Sequence, residues 1–177
     1  MELRKCTDEQ DLAKIEDLYM TAFPDNERKP FWLIVEKSRE GSMEALAIEE
    51  DGVFLGLAIM ILHRDIALLD YFAVSEESRG QGIGTKALAA LAKRYPDMTV
   101  VIEIEDPDEP SDNPEERLRR RDFYGRSGFS PMPYKVWLYG VKMQILTDKK
   151  DVPFERYHRI FKEVYSEKSA KNISLAE

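Results

Sequence analysis

Residues 79–85 read Arg79-Gly80-Gln81-Gly82-Ile83-Gly84-Thr85 and lead into a segment whose apolar residues Ala87, Leu88, Leu91 and Ala92 share one helical face. Three alternating glycines over the first turn of a helix suit an anion site, although the same pattern also describes a turn that merely starts a helix. The first amides of a helix lack an intrahelical partner, a Gly-rich turn aims successive amides the same way, and the helix dipole adds to the attraction. Glycine lets a ligand reach the backbone, and Arg79 adds a positive charge beside it. Spacing excludes two familiar phosphate loops. Gly84 is followed by Thr85 and only then by Lys86, which breaks G-x-x-x-x-G-K-[ST], and the third glycine comes one residue early for G-x-G-x-x-G.

A second group with chemical potential is acidic. Glu103 and Glu105 alternate with Ile102 and Ile104, so on a strand they lie on one face about 7 Å apart. Two like charges that close raise one pKa, which suits a base working near neutrality, although the same pattern also describes a solvated face. Asp70, inside the apolar run "ALLDYFAV", is a third carboxylate of this kind. Cys6 is the only cysteine, and His63 and His158 have no companions at ligand spacing, so neither a disulfide nor a metal site is expected.

These residues need elements to hold them. Residues 2 to 6 suit a short strand, and Thr7 with Gln10 suggests a capping box for a helix whose face carries Leu12, Ile15, Leu18, Tyr19 and Ala22. A charged loop follows, then a second helix from Pro30 to Gly41. Asp51-Gly52 between two apolar runs predicts a hairpin. "IALLDYFAV" is the next strand, a helix runs to Pro96, and "MTVVIEIE" is a strand expected to lie parallel to the preceding one. A proline-rich loop, a helix from Pro114 to Gly128, a hairpin through Gly140 and a helix carrying Phe154, Tyr157, Ile160, Phe161 and Val164 complete the chain. One domain over residues 1–168 is expected, with residues 169–177 as a frayed tail.

At 177 residues, 43% hydrophobic and 34% charged, the composition is that of a globular domain with a proper core. A net charge of −8 argues against nucleic acid as a partner. No apolar run suits a signal peptide or a membrane span, so a cytoplasmic protein, monomer or homodimer, is expected.

The stretch "LLDYFAVSEESRGQGIGTKALAAL" resembles the signature of the GCN5-related N-acetyltransferase (GNAT) superfamily, and "RRRDFYGRSGF" resembles its later F-Y-x-x-x-G-F segment through Phe123, Tyr124, Gly128 and Phe129. With the order of elements, the resemblance covers roughly residues 2 to 146. It implies an α/β (α+β) fold: a mixed, largely antiparallel sheet of about seven strands with a splayed parallel pair in the centre, flanked by helices, plus a C-terminal helix. The implied activity is acetyl transfer from acetyl-CoA, without a metal, to a primary amine of a small molecule or peptide, by direct attack in a ternary complex. A CoA-binding sensor or interaction module is the alternative.

By the same resemblance, the pyrophosphate of acetyl-CoA would sit on Arg79, Gly80, Gln81, Gly82, Ile83, Gly84 and Thr85, and the backbone of Phe72, Ala73 and Val74 would pair with its extended amide chain. Tyr124 takes the general-acid position. A phenol of pKa about 10 protonates a thiolate of pKa about 8.5 slightly uphill, so a hydrogen-bond donor to the departing sulfur is the first expectation. An amine of pKa about 10.4 is free in only about one part in 2,500 at neutral pH, which makes a base valuable and directs attention to Glu103 and Glu105. Residues 24–32 and 106–114 would form the acceptor wall. Arg117 stands where the family commonly has an asparagine that contacts CoA. Together with Arg119, Arg120, Arg121 and Arg126, it is expected to pair across the surface with the acids of 103–116.

Overall fold

The computed structural model describes residues 1–176, which form two compact units, residues 1–98 and residues 99–176. Among the described residues there are eight strands and six helices, a mixed α/β protein.

The first unit comprises β1 (Glu2–Lys5), α1 (Glu9–Ala22), α2 (Phe31–Glu40), β2 (Met43–Glu50), β3 (Val53–His63), β4 (Ile66–Val74) and α3 (Ile83–Arg94). Its strands run β1-β2-β3-β4, each antiparallel to the next. Met43, Ala45–Ile48 and Leu57–Ile61 are buried almost residue after residue, which a strand shows only when both its faces are covered. α1 and α2 pack on β2, and α3 packs on β1 and β4. The buried face of α1 is Leu12, Ile15 and Tyr19, each contributing roughly 1.5–3 kcal/mol. Asp51 and Gly52 both take positive φ, 53° and 78°, the geometry that matches hairpin twist.

The start of α1 differs from the capping-box expectation. Asp8, not Thr7, is the N-cap: its backbone is extended and its carboxylate accepts from the Asp11 amide at 2.9 Å. A carboxylate there also meets the positive end of the helix dipole, an advantage the threonine hydroxyl lacks.

The second unit comprises β5 (Thr99–Glu105), α4 (Pro114–Arg126), β6 (Ser130–Leu138), β7 (Val141–Thr147), α5 (Phe154–Val164), α6 (Glu167–Ala170) and β8 (Ile173–Ala176). Its strands run β5-β7-β6-β8, again antiparallel. The expected frayed stretch from residue 169 instead carries the end of α6 and the whole of β8. β8 pairs with β6 from Lys135↔Ala176 to Leu138↔Ile173 and covers backbone groups that would otherwise form an open edge. Its weak apolar pattern hides it, because only Ile173 is buried.

Candidate functional site

The turn before α3 is built as the glycine spacing predicts. A single 3₁₀ turn, Glu76–Ser78, follows β4, and Gly82 is the N-cap of α3 at φ 74°. Gly80 has φ 75°, and an added Cβ at either glycine would meet nothing within 4 Å. Both glycines are therefore required by backbone conformation, and the space over the turn is open. The first turn of the helix closes from the Lys86 amide to the Gly82 carbonyl at 3.1 Å, which leaves the amides of Ile83, Gly84 and Thr85 without helical partners.

Side chains around the turn divide the work. Arg79 is exposed and bonds the Val74 carbonyl through Nε at 3.3 Å, and the Gln81 side chain donates to the Glu77 carbonyl at 3.0 Å. Ile83 is buried with Ile48 and Ala87, and Phe72 and Val74 pack against that cluster, so these three residues offer a ligand only their backbone. Gly56 lets β3 approach the end of β4: a Cβ there would stand 2.3 Å from the Ala73 carbonyl oxygen.

Asp70 proves to be a structural carboxylate. The register between β3 and β4 slips between Ile59 and Met60, which makes Asp70 the extra residue of a bulge. Its side chain is 5% exposed and accepts from Lys29 Nζ at 2.6 and 2.7 Å. Tyr71 donates to the Glu27 carbonyl at 2.8 Å and accepts from the Lys29 amide at 3.0 Å, while Tyr19 donates to the Lys29 carbonyl at 2.9 Å. The bulge and two phenols thus pin the loop between α1 and α2. Sequence reasoning missed Lys29, Tyr19 and Tyr71 in this role, because no spacing links the loop to β4.

In the second unit, Glu103 and Glu105 lie two apart on β5, but they are not an equal pair. Glu105 is bound by Arg117 at 2.7 Å, and Arg117 also donates to the Asp106 carbonyl at 3.3 Å. This cancels the charge that was expected to act on Glu103. Glu103 accepts from the phenol of Tyr157, a fully buried residue of α5. Helical periodicity marks Tyr157 as core and gives no sign of a polar duty.

Tyr124 is 8% exposed, in T-shaped contact with Phe129 at 6.1 Å and tilted against Phe123 at 5.1 Å. Burial pushes its phenol up to about 12, with Arg120 opposing weakly. The expected pairing of arginines with acids is only partly realised. Arg117 and Arg120 do pair with Glu105 and Glu116, but Asp106 and Asp108 bind Lys135, and Glu109 binds Lys142. The β6–β7 hairpin brings these lysines to the loop, a neighbourhood the sequence order conceals. Among the described residues, no group of acids, histidines or cysteines is arranged to hold a metal, and no helix is long and apolar enough to cross a membrane.

An apolar strand running into a glycine-capped helix, with Tyr124 on a later helix, is the arrangement that the resemblance to the acetyltransferases implies. The acetyltransferase (GNAT) family matches residues 12–129, well over half of the chain, and the chain belongs to that family. A relative from Bacillus subtilis (strain 168), described as "Putative acetyltransferase YjbC", is 31% identical over 105 residues, 56% of this chain and 52% of that protein. The chain therefore spans about half the length of this curated relative. Among solved structures, a "Putative acetyltransferase from GNAT family" from Bacteroides thetaiotaomicron superposes with TM-score 0.80 at 22% identity, covering 93% of this chain and 98% of the other. An aminoglycoside 6'-N-acetyltransferase complexed with coenzyme A superposes with TM-score 0.64 at 15% identity, covering 86% and 100%. These likenesses establish the GNAT fold.

Proposed function

We propose that the protein is an acetyl-CoA-dependent N-acetyltransferase that acts on a primary amine of a small molecule or peptide. The observation that carries this reading is the start of α3: free amides of Ile83, Gly84 and Thr85 over open space, with Gly80 and Gly82 in the left-handed conformation. That arrangement fits a pyrophosphate, whose charges are met by amide dipoles and by Arg79. The extended backbone at Phe72–Val74 suits the amide chain of the same ligand. The solved neighbour that carries coenzyme A supports the choice of thioester.

Acetyl-CoA, when bound, supplies an activated acetyl group. The acceptor nitrogen bonds to the acetyl carbon as the carbon–sulfur bond breaks, without an acetyl-enzyme. Cys6 is unsuited to a covalent role, being 1% exposed with a thiol pKa raised by burial. A carboxylate of β5 takes the proton from the attacking amine. Glu103 and Glu105 are the two candidates, Glu105 held in an ion pair with Arg117 and Glu103 hydrogen-bonded by Tyr157. Tyr124 donates a hydrogen bond to the departing sulfur. With burial pushing its phenol up to about 12, full proton transfer to a thiolate of pKa about 8.5 is uphill by roughly three to four powers of ten, so donation without transfer is its main contribution. Arg117, held by Glu105 and the Asp106 carbonyl, does not take over the CoA contact of the family's asparagine.

The test is a panel of amines, polyamines, amino acids and peptides assayed for acetyl-CoA-dependent thiol release. Release with any amine supports the reading. A rise in melting temperature with acetyl-CoA but no release across the panel favours a CoA-binding sensor, a reading that gains some weight because both β5 carboxylates already have partners.

A further inference from the structure

We propose that the groove between α1 and α2 is a docking surface for a basic amphipathic helix of another protein. Docking there needs neither acetyl-CoA nor an acceptor amine. Both helices belong to the first unit and both pack on β2, so the walls of the groove are fixed by the sheet beneath them. Its volume is about 560 Å³, and Leu12, Phe31 and Val35 form an apolar floor. Trp32 lines the same groove with 66% of its surface exposed, and among the described residues no ring or cation is stacked on its indole. An exposed indole beside an apolar floor is the kind of side chain that anchors a protein contact, because it offers a large rigid surface at little cost in conformational entropy.

The charge around the groove selects the occupant. Glu9 and Glu16 of α1 and Glu36 of α2 line it, all three exposed and none in an ion pair among the described residues. Other acids of the same helices are paired: Asp11 with Arg4 and Lys14, and Glu40 with Lys37. Arg39 is the one cation that lines the groove, so three carboxylates face a single guanidinium and a cationic partner is favoured. Spacing then decides between a small cation and a helix. Glu9 and Glu16 are seven residues apart on one helix, which separates them by about 10.5 Å along its axis, too far for one ammonium group to pair with both. A second helix laid along α1 has the same rise, so cations seven residues apart on it match the two carboxylates. Its apolar residues three and four positions after the first cation fall on the same face and meet the floor and Trp32.

The test uses the full chain alone and a peptide made of two repeats of Lys-Ala-Gln-Leu-Leu-Ala-Gln closed by a further Lys, with a second peptide in which every Lys is Glu. With a fluorescent label on the first peptide, anisotropy should show saturable binding that weakens about threefold or more between about 20 and about 200 mM salt. With the unlabelled peptide, tryptophan emission should shift to the blue, and the shift should persist in Trp137→Phe, which removes the only other tryptophan. The double variant Glu16→Lys, Glu36→Lys alters only exposed side chains, so its melting temperature should stay close to that of the unaltered chain. It should bind the Lys peptide about tenfold or more weakly and should prefer the Glu peptide. No binding, equal affinity for the two peptides, or an unchanged preference in the double variant overturns the proposal. Displacement of the Lys peptide by an equal concentration of 1,5-diaminopentane also overturns it, since the groove would then take a small cation. Self-association of the chain that the double variant abolishes would make a second copy the occupant and is likewise a refutation. None of these outcomes depends on thiol release, so the docking surface and the proposed function fail separately.

Discussion

The turn at residues 79–85 and the group around Glu103 are built on opposite plans. Every part of the turn comes from seven consecutive residues, and its working atoms are backbone amides aimed by two left-handed glycines. The carboxylate group draws on three elements: Arg117 reaches Glu105 across 12 positions, and Tyr157 reaches Glu103 across 54. Binding an anion needs only a local backbone shape. Steering a proton needs side chains of matched character, and these are assembled by packing. The two regions should therefore fail differently when altered.

The largest effect is expected at the turn. Acetyl-CoA at about a hundred times its Kd should stabilise the protein by about 2.7 kcal/mol, a rise of several degrees in melting temperature. Gly82→Asp should abolish that rise and all thiol release, because a carboxylate enters the place of the phosphates. Gly82→Asn adds a side chain of similar size at the same positive φ without the charge, and it should keep part of the shift. If the two variants behave alike, shape and not charge decides binding, and the contrast between the regions weakens.

Tyr124→Phe should cost about 10²–10³ in turnover with the acetyl-CoA melting shift intact, as the loss of a hydrogen bond that matters only while charge builds on sulfur. Since burial pushes the phenol up to about 12, the loss should be uniform from about pH 6 to about pH 10. A loss confined to one limb of the pH–rate profile would mean that Tyr124 exchanges a proton within that range.

A smaller effect is expected at the pinned loop of the first unit. Lys29→Met leaves the 5%-exposed Asp70 carboxylate without its ion-pair partner and should destabilise the protein by about 2–3 kcal/mol in urea unfolding, less than a fully buried pair because Lys29 keeps some contact with water. Asp70→Asn should cost less, since it removes the charge together with the need to neutralise it. The reverse order would show that Asp70 is held for a role other than support of the loop. The smallest effect is expected from Cys6→Ala: about 1 kcal/mol or so of stability, with intersecting double-reciprocal lines unchanged. Parallel lines in either protein would speak for an acetyl-enzyme.

Much of the scaffold was legible from periodicity and turn chemistry. The Asp51-Gly52 hairpin, the Pro30 and Gly41 bounds of α2, the glycine cap of α3 and the apolar face of α5 all depend on interactions within a few residues. The N-cap of α1 was displaced by one residue because Thr7 and Asp8 are both good caps, and the path of the chain out of β1 decides between them. β8 went unseen because what makes it a strand is the open edge of β6, not its own residues.

The same division holds for chemistry. By itself, the sequence determined the glycine-capped turn, the family and the presence of two carboxylates on one strand face, since each follows from short-range spacing. Only the tertiary structure decided that Asp70 supports a loop, that Arg117 silences Glu105, and that a phenol from the last long helix reaches Glu103. The physical reason is that the charge state and direction of a side chain depend on what surrounds it in space. Among those neighbours, the partners of Asp70, Glu105 and Glu103 lie 41, 12 and 54 positions away along the chain.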